Sequence, residues 1–92
     1  AMNLEKLSAS ELDALIERAK KLRATKTPPH PKEMPSDVLA IPDPVWTASL
    51  IDNKGVALSF RHPGLGWLGF ALPENELLNM FETLGKCIAA HK

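Results

Sequence analysis

Apolar residues alternate with small or polar ones in three stretches of the second half of the chain. This period of two predicts strands at 45–51, 56–61 and 67–72, each with one apolar face. Tight connections at 52–55 and 62–66, both containing glycine, predict that the strands form an antiparallel meander. The predicted apolar positions are Trp46, Ala48 and Leu50 on the first strand, Val56, Leu58 and Phe60 on the second, and Leu68, Phe70 and Leu72 on the third.

The start of the chain follows a helical period instead. Ser8 and Glu11 have the spacing of a capping box, and Leu7 and Leu12 can form the hydrophobic staple around it. Acidic residues lie early in this segment and basic residues late, an order that suits the helix dipole. The apolar stripe of this first helix consists of Leu12, Leu15, Ile16, Ala19 and Leu22.

A second helical period begins after Pro73, which suits the first position of a helix. One helix covers one face of a small sheet, so we expect Phe81 and Leu84 to be buried against the strands. Replacing Phe81 by alanine would then cost about 3–5 kcal/mol of stability. The apolar stripe of this last helix consists of Leu77, Leu78, Phe81, Leu84 and Ile88, widened by Met80 and Cys87.

Between the first helix and the first strand, residues 25–44 hold six of the eight prolines. Proline cannot donate to a regular ladder, so this segment is predicted to be a semi-rigid linker. The chain is therefore interpreted as a single small domain, divided into an amphipathic helix at 1–24, a linker at 25–44 and a core at 45–92. The fold class is α+β: an N-terminal helix, a Pro-rich linker, a three-stranded antiparallel β-meander and a C-terminal helix packed on the sheet.

The stretch GLGWLG at 64–69 has the glycine spacing of a dinucleotide-binding loop. That loop needs a helix starting within the motif, inside a parallel unit. Here a strand is predicted to follow, so Gly64 and Gly66 are interpreted as turn residues with positive φ. Gly69 is interpreted as a flat position within a strand. We expect no binding of dinucleotides or nucleoside triphosphates.

Composition limits the function classes further. The 92 residues are 45% hydrophobic, and eleven basic side chains balance eleven acidic ones. A net charge of zero disfavours binding to nucleic acids or anionic membranes by bulk electrostatics and does not oppose self-association. The single cysteine, Cys87, excludes an internal disulfide and is expected to be buried and inert. No apolar run is long enough to span a membrane, and a cytoplasmic, bacterial protein is favoured.

Residues with the potential for catalysis are few. His30, His62 and His91 have no ligand spacing with one another, and no acid–base pair is evident. We therefore predict no catalytic, cofactor-binding or metal-binding residue, with His62 the strongest single candidate for a site. One of the two tryptophans is expected in the core and the other on the open face of the sheet, the strand register deciding which.

These patterns favour a non-catalytic, self-associating protein-interaction module, most simply a homodimer, with a further protein partner also open. The alternative is a nucleic-acid-associated regulator that uses a sheet aromatic and the basic end of the first helix. The open question is whether the first helix packs on its own chain or across a dimer. The candidate partner or dimer surface consists of Leu12, Leu15, Ile16, Ala19, Leu22, Trp46, Arg61, His62 and Trp67.

Overall fold

The computed structural model describes residues 3–53 and 55–91 of the chain. Residues 1, 2, 54 and 92 lie outside the described residues, including the Lys54 position of the predicted 52–55 connection. The chain forms two compact units, residues 1–40 and residues 41–92, and each is described by itself. The fold class is confirmed as α+β, with a helix first, a three-stranded antiparallel sheet, and a helix last.

The first unit is built around helix α1, Ala9–Ala24, which follows a short 3-10 turn at Leu4–Lys6. Its N-terminus carries the predicted capping box. The N–H of Glu11 donates to Ser8 Oγ at 3.1 Å, and the N–H of Ser8 donates to Glu11 Oε1 at 3.0 Å. Leu7 and Leu12, the predicted staple residues, are both half-buried. These bonds satisfy backbone donors that would otherwise be unpaired at the helix start.

The second unit contains strands β1, Trp46–Ile51, β2, Gly55–His62, and β3, Gly66–Leu72, in the order β1-β2-β3. Both neighbouring pairs are antiparallel, as the two short connections predicted. The observed strands agree with the predicted ones to within one residue at each end. Asn53, at φ 63°, takes the left-handed conformation in the β1–β2 connection, which asparagine tolerates better than most residues.

The second connection corrects one prediction about the glycines. Gly66 has a positive φ of 76°, as expected, but Gly64 does not. The reason is that His62 supports this turn, because its Nδ1 accepts hydrogen bonds from the N–H groups of Gly64 and Leu65. Gly69 lies within β3, where an added Cβ would sit 3.3 Å from Ser59 Oγ. No helix begins within the 64–69 motif, so it is a turn followed by a strand.

The last helix, α2, spans Glu74–His91 and follows β3 with only Pro73 between them. The Pro73 carbonyl accepts the first helical hydrogen bond, from the N–H of Leu77 at 2.9 Å. Leu77 is half-buried and lines a groove with Pro73, Leu50 and Val56, where the helix starts beside the sheet. The start of α2 is thus tied closely to the end of the sheet where β3 finishes.

The expected packing of the rest of α2 is wrong. Phe81 is 75% exposed and Leu84 is 55% exposed, so neither is buried against the strands. With a connection of one residue, the helix leaves the strand without the length of chain that would turn it back across the sheet. None of the residues 3–53 and 55–91 is buried.

We predict that Gly55→Ala will destabilise the second unit by at least about 1 kcal/mol. Gly55 has φ 120°, and a Cβ there would collide with the Leu72 carbonyl where β3 passes into α2. Gly85→Ala is the matched control, because nothing lies within 4 Å of its added Cβ and it is inside a helix. The control should stabilise by about 1 kcal/mol. Urea unfolding followed by circular dichroism measures both, and equal midpoints for the two variants would contradict the assignment.

A second prediction concerns pH and the start of α1. The hydrogen bonds from Ser8 hold the pKa of Glu11 below its ordinary value of 4.5. A lowered pKa means that the folded state binds the proton less well than the unfolded state. The stabilisation is therefore complete above pH 4.5 and is lost as the pH falls through the lowered pKa. Helicity at 222 nm should fall over this acid range by more in the parent than in Glu11→Gln, which keeps the cap without a titrating group.

Candidate interaction surface

The strand register places nine apolar side chains on one face of the sheet. Directly paired residues of antiparallel strands point to the same side, and alternate residues share a face. The three rows, read from β1 to β3, are Trp46–Phe60–Leu68, Ala48–Leu58–Phe70 and Leu50–Val56–Leu72. We call these nine residues the apolar face.

The apolar face is largely open. Leu50 is 89% exposed, Trp46 61% and Phe70 60%. The half-buried members of this face are Val56, Leu58, Leu68 and Leu72. A charge-free surface of this width in contact with water is unfavourable, at roughly 25 cal/mol for each Å² of apolar area.

The accessible surface of the whole chain is large for its mass. It amounts to 8673 Å² for a mass of 10.1 kDa. A compact monomer of that mass exposes roughly 5,300 Å², and two separate compact bodies of these sizes roughly 6,400 Å². Part of the excess lies in the proline-rich segment, whose residues 25–43 are all exposed.

The opposite face of the sheet is lined mainly by small and polar residues. Its central residues are Thr47, Ser49, Ala57, Ser59, Gly69 and Ala71, which we call the small-residue face. At one end, Arg61 lies directly opposite Trp67, and the Arg61 N–H donates to the Val45 carbonyl at 2.9 Å. This face offers little apolar area apart from Trp67 at its edge.

The register also decides between the two tryptophans. Trp46 lies on the apolar face, whereas Trp67 lies beside Arg61 on the other side of the sheet. The expectation that one of them belongs to a core is wrong, since Trp46 is 61% and Trp67 53% exposed. Both rings lie at the ends of their strands, away from the better covered middle of β2.

His62 has a structural position. Its Nδ1 accepts from the N–H of Gly64 at 2.9 Å and from the N–H of Leu65 at 3.1 Å, and the side chain is half-buried. The ring is thus occupied in closing the β2–β3 connection. Among residues 3–53 and 55–91, no three side chains of His, Cys, Asp or Glu are placed to hold a metal ion together.

The candidate residues of α1 lie in the first unit. Along its stripe, Leu12, Leu15 and Ile16 are half-buried, whereas Ala19 and Leu22 are exposed. Of the basic residues near its end, Lys20 binds Glu17, with Nζ 2.8 Å from Oε1. The hydrogen bond and the charge of Lys20 lower the pKa of Glu17. This exposed pair neutralises part of the basic end that the nucleic-acid alternative requires.

The second exposed apolar surface lies on α2. Beyond its first turn, the helix exposes Leu78, Phe81, Leu84 and Ile88, each more than half accessible. We call these four residues the α2 stripe. Cys87 lies beside them and is exposed, so its expected burial is wrong for the same reason as that of Phe81. The second unit therefore carries two uncovered apolar surfaces, one on the sheet and one on the helix.

Comparison of the chain with models of protein families, with curated proteins and with solved structures found no match. Within the described ranges, no helix has both the length and the apolar character needed to cross a membrane.

We predict that His62→Ala will destabilise the second unit by about 1 kcal/mol, because two N–H groups of the turn lose their acceptor. His62→Asn is the matched control, since an asparagine oxygen can accept from the N–H two residues further along. Thermal melting should rank the parent, His62→Asn and His62→Ala in descending order. If the alanine variant melts with the parent, the hydrogen bonds of His62 do not support the turn.

Proposed function

We propose that this chain is a small, non-catalytic protein-interaction module of the cytoplasm that functions as a homodimer. The observation that carries the proposal is the apolar face. Its nine residues include no charged side chain, and Leu50, Trp46 and Phe70 are more than half exposed. Surfaces of this kind on soluble proteins mark the sites where another molecule binds.

The amount of apolar area supports an extensive interface. Four exposed aromatic side chains, Trp46, Phe60, Phe70 and Phe81, have exposed fractions from 38% to 75%. At roughly 150–250 Å² for each aromatic side chain, they alone offer about 350–600 Å². This aromatic area alone is as large as the largest apolar patch of a typical monomer, and the exposed leucines and Ile88 add further apolar area. Permanent interfaces bury more apolar area than transient ones do, so this surface suits a permanent interface.

A second copy is a suitable partner on electrostatic grounds as well. The net charge of the chain is zero, so two copies do not repel each other strongly. The apolar face itself contains no charged residue that would have to lose its water on association. Closed two-fold dimers are the commonest assemblies built from such surfaces.

One observation favours the alternative of a nucleic-acid regulator: Arg61 and Trp67 lie opposite each other on an open sheet face. An aromatic ring beside a guanidinium can stack on a base and contact a phosphate. However, Arg61 is the single cation among the described residues of that face, and binding to nucleic acids grows with the number of phosphates neutralised. We therefore place this function second. Retention on heparin that falls steeply with salt would favour it over the homodimer.

We predict that the intact chain has twice the 10.1 kDa mass of one copy at micromolar concentration, measured by light scattering after size exclusion. Phe70→Asp should reduce the mass to that of one chain, because it places a charge in the middle row of the apolar face. Ala71→Asp is the matched control: it is the neighbouring, exposed residue on the small-residue face, and it should remain dimeric. A parent with the mass of a single chain at high micromolar concentration would refute the proposal.

A further inference from the structure

We propose that, in this dimer, helix α2 of each copy lies across the apolar face of the other copy's sheet. The inference rests on the proposed self-association and names the segment that covers the apolar face. It is carried by two surfaces of the same unit that are both apolar, both exposed and not paired with each other within the chain.

The connection between β3 and α2 is short and conformationally restricted. Pro73 is the only residue between them, and its carbonyl already belongs to the first turn of the helix. The ring of proline also restricts its own φ and holds Leu72 in the extended region. Close approach of Gly55 to the Leu72 carbonyl fixes this corner from the other side. The helix is therefore held at its start, where Leu77 lines a groove with Leu50 and Val56 of the same chain, while the α2 stripe stays more than half exposed.

The α2 stripe and the apolar face have similar dimensions. From Leu78 to Ile88 the helix rises about 15 Å, at 1.5 Å for each residue. From Trp46 to Leu50 the sheet extends about 13 Å along the strands, and its three strands span about 10 Å across. A helix with side chains is about 10 Å wide, so one helix covers the apolar face without a second element.

Placing α2 of each copy on the other copy's sheet covers the apolar face and the α2 stripe at once. Packing the two sheets face to face would cover the apolar faces but leave both α2 stripes in water. Pairing the two helices would leave both sheets in water. When each helix crosses the other sheet, the exposed aromatic residues of sheet and helix, Trp46, Phe60, Phe70 and Phe81, meet one another. Counted over both copies with the aliphatic residues, the area is on the order of 1,500 Å² or more, within the range of stable interfaces.

The distribution of charge along α2 is compatible with this arrangement. The α2 stripe contains no ionisable residue, and the acidic and basic residues of this helix occupy other positions along it. Glu82 and Lys86 can therefore remain in solvent while the stripe packs on the charge-free sheet. A two-fold exchange of this kind makes the same contacts twice, so each residue pair contributes in both directions.

The test uses the full-length chain as a mixed sample of isotope-labelled and unlabelled copies. Isotope-filtered nuclear Overhauser spectra detect only contacts between copies. The inference predicts contacts from the methyl groups of Leu84 and Ile88 to the rings of Trp46, Phe60 or Phe70. Contacts of these methyl groups with the sheet that appear only within one copy would overturn it. Contacts between copies confined to two sheets, to two α2 helices or to α1 would overturn it as well.

A variant pair gives an independent measurement. Phe81→Asp should raise the dissociation constant of the dimer by roughly 30-fold or more, the effect of losing a central aromatic side chain at an interface. Thr83→Asp, also exposed on α2 but outside the stripe, is the matched control and should leave dissociation within about threefold of the parent, as an exposed contact at the rim does. Circular dichroism checks that both variants stay helical. An unchanged constant for Phe81→Asp overturns the inference.

The proposal of self-association and the inference about α2 fail in different ways. A parent with the mass of a single chain removes both. A dimer that persists in Phe81→Asp but dissociates in the double variant Leu15→Asp with Ile16→Asp keeps the self-association and moves the interface to α1. A dimer that dissociates in Phe70→Asp and in Phe81→Asp, with contacts between copies from α2 to the sheet, supports both.

Discussion

The register of the three strands is the constraint on which the other features of the second unit depend. It brings nine apolar side chains, three from each strand, to one side of the sheet, and leaves mainly small and polar residues, together with Arg61 and Trp67, on the other. A shift of one residue in either pair would divide the apolar side chains between the two faces. The short connections exclude such a shift, with His62 closing one of them and Gly55 held against the Leu72 carbonyl at the other end of β2.

Much of this could be predicted from the sequence because it depends on local chemistry. The capping box of Ser8 and Glu11 joins atoms three residues apart. The alternation of Val56, Leu58 and Phe60 requires only a strand with two unlike faces. Gly66 has the positive φ that is predicted for the turn, whereas the same prediction for Gly64 is wrong, because Nδ1 of His62 accepts hydrogen bonds from the N–H groups of Gly64 and Leu65 and shapes the turn.

The contacts that the sequence did not predict lie between elements. The pattern of Leu78, Phe81 and Leu84 shows that one side of α2 is apolar, but the pattern is the same whether that side meets its own sheet or another copy's. The free energy of burying each side chain is also the same in both cases. The periodicity also gives no sign of the single-residue connection between β3 and α2, after which Phe81 and Leu84 remain exposed. Cys87 on this helix and Trp46 on the apolar face are both exposed.

An interface made from the main apolar surfaces of a domain has a consequence for its stability. In a small monomer, the strands and the helix that covers them fold as one unit, and its stability is independent of concentration. Here the helix that would cover the apolar face belongs to a second chain, according to our inference, so folding and association draw on the same apolar area. In such homodimers the stability of the fold is inseparable from the concentration of the chain. Helix α1 and residues 25–40 of the proline-rich segment lie in the other unit, and α1 carries its own capping box and apolar stripe. We therefore expect the second unit, rather than α1, to lose its structure first when the chain is diluted.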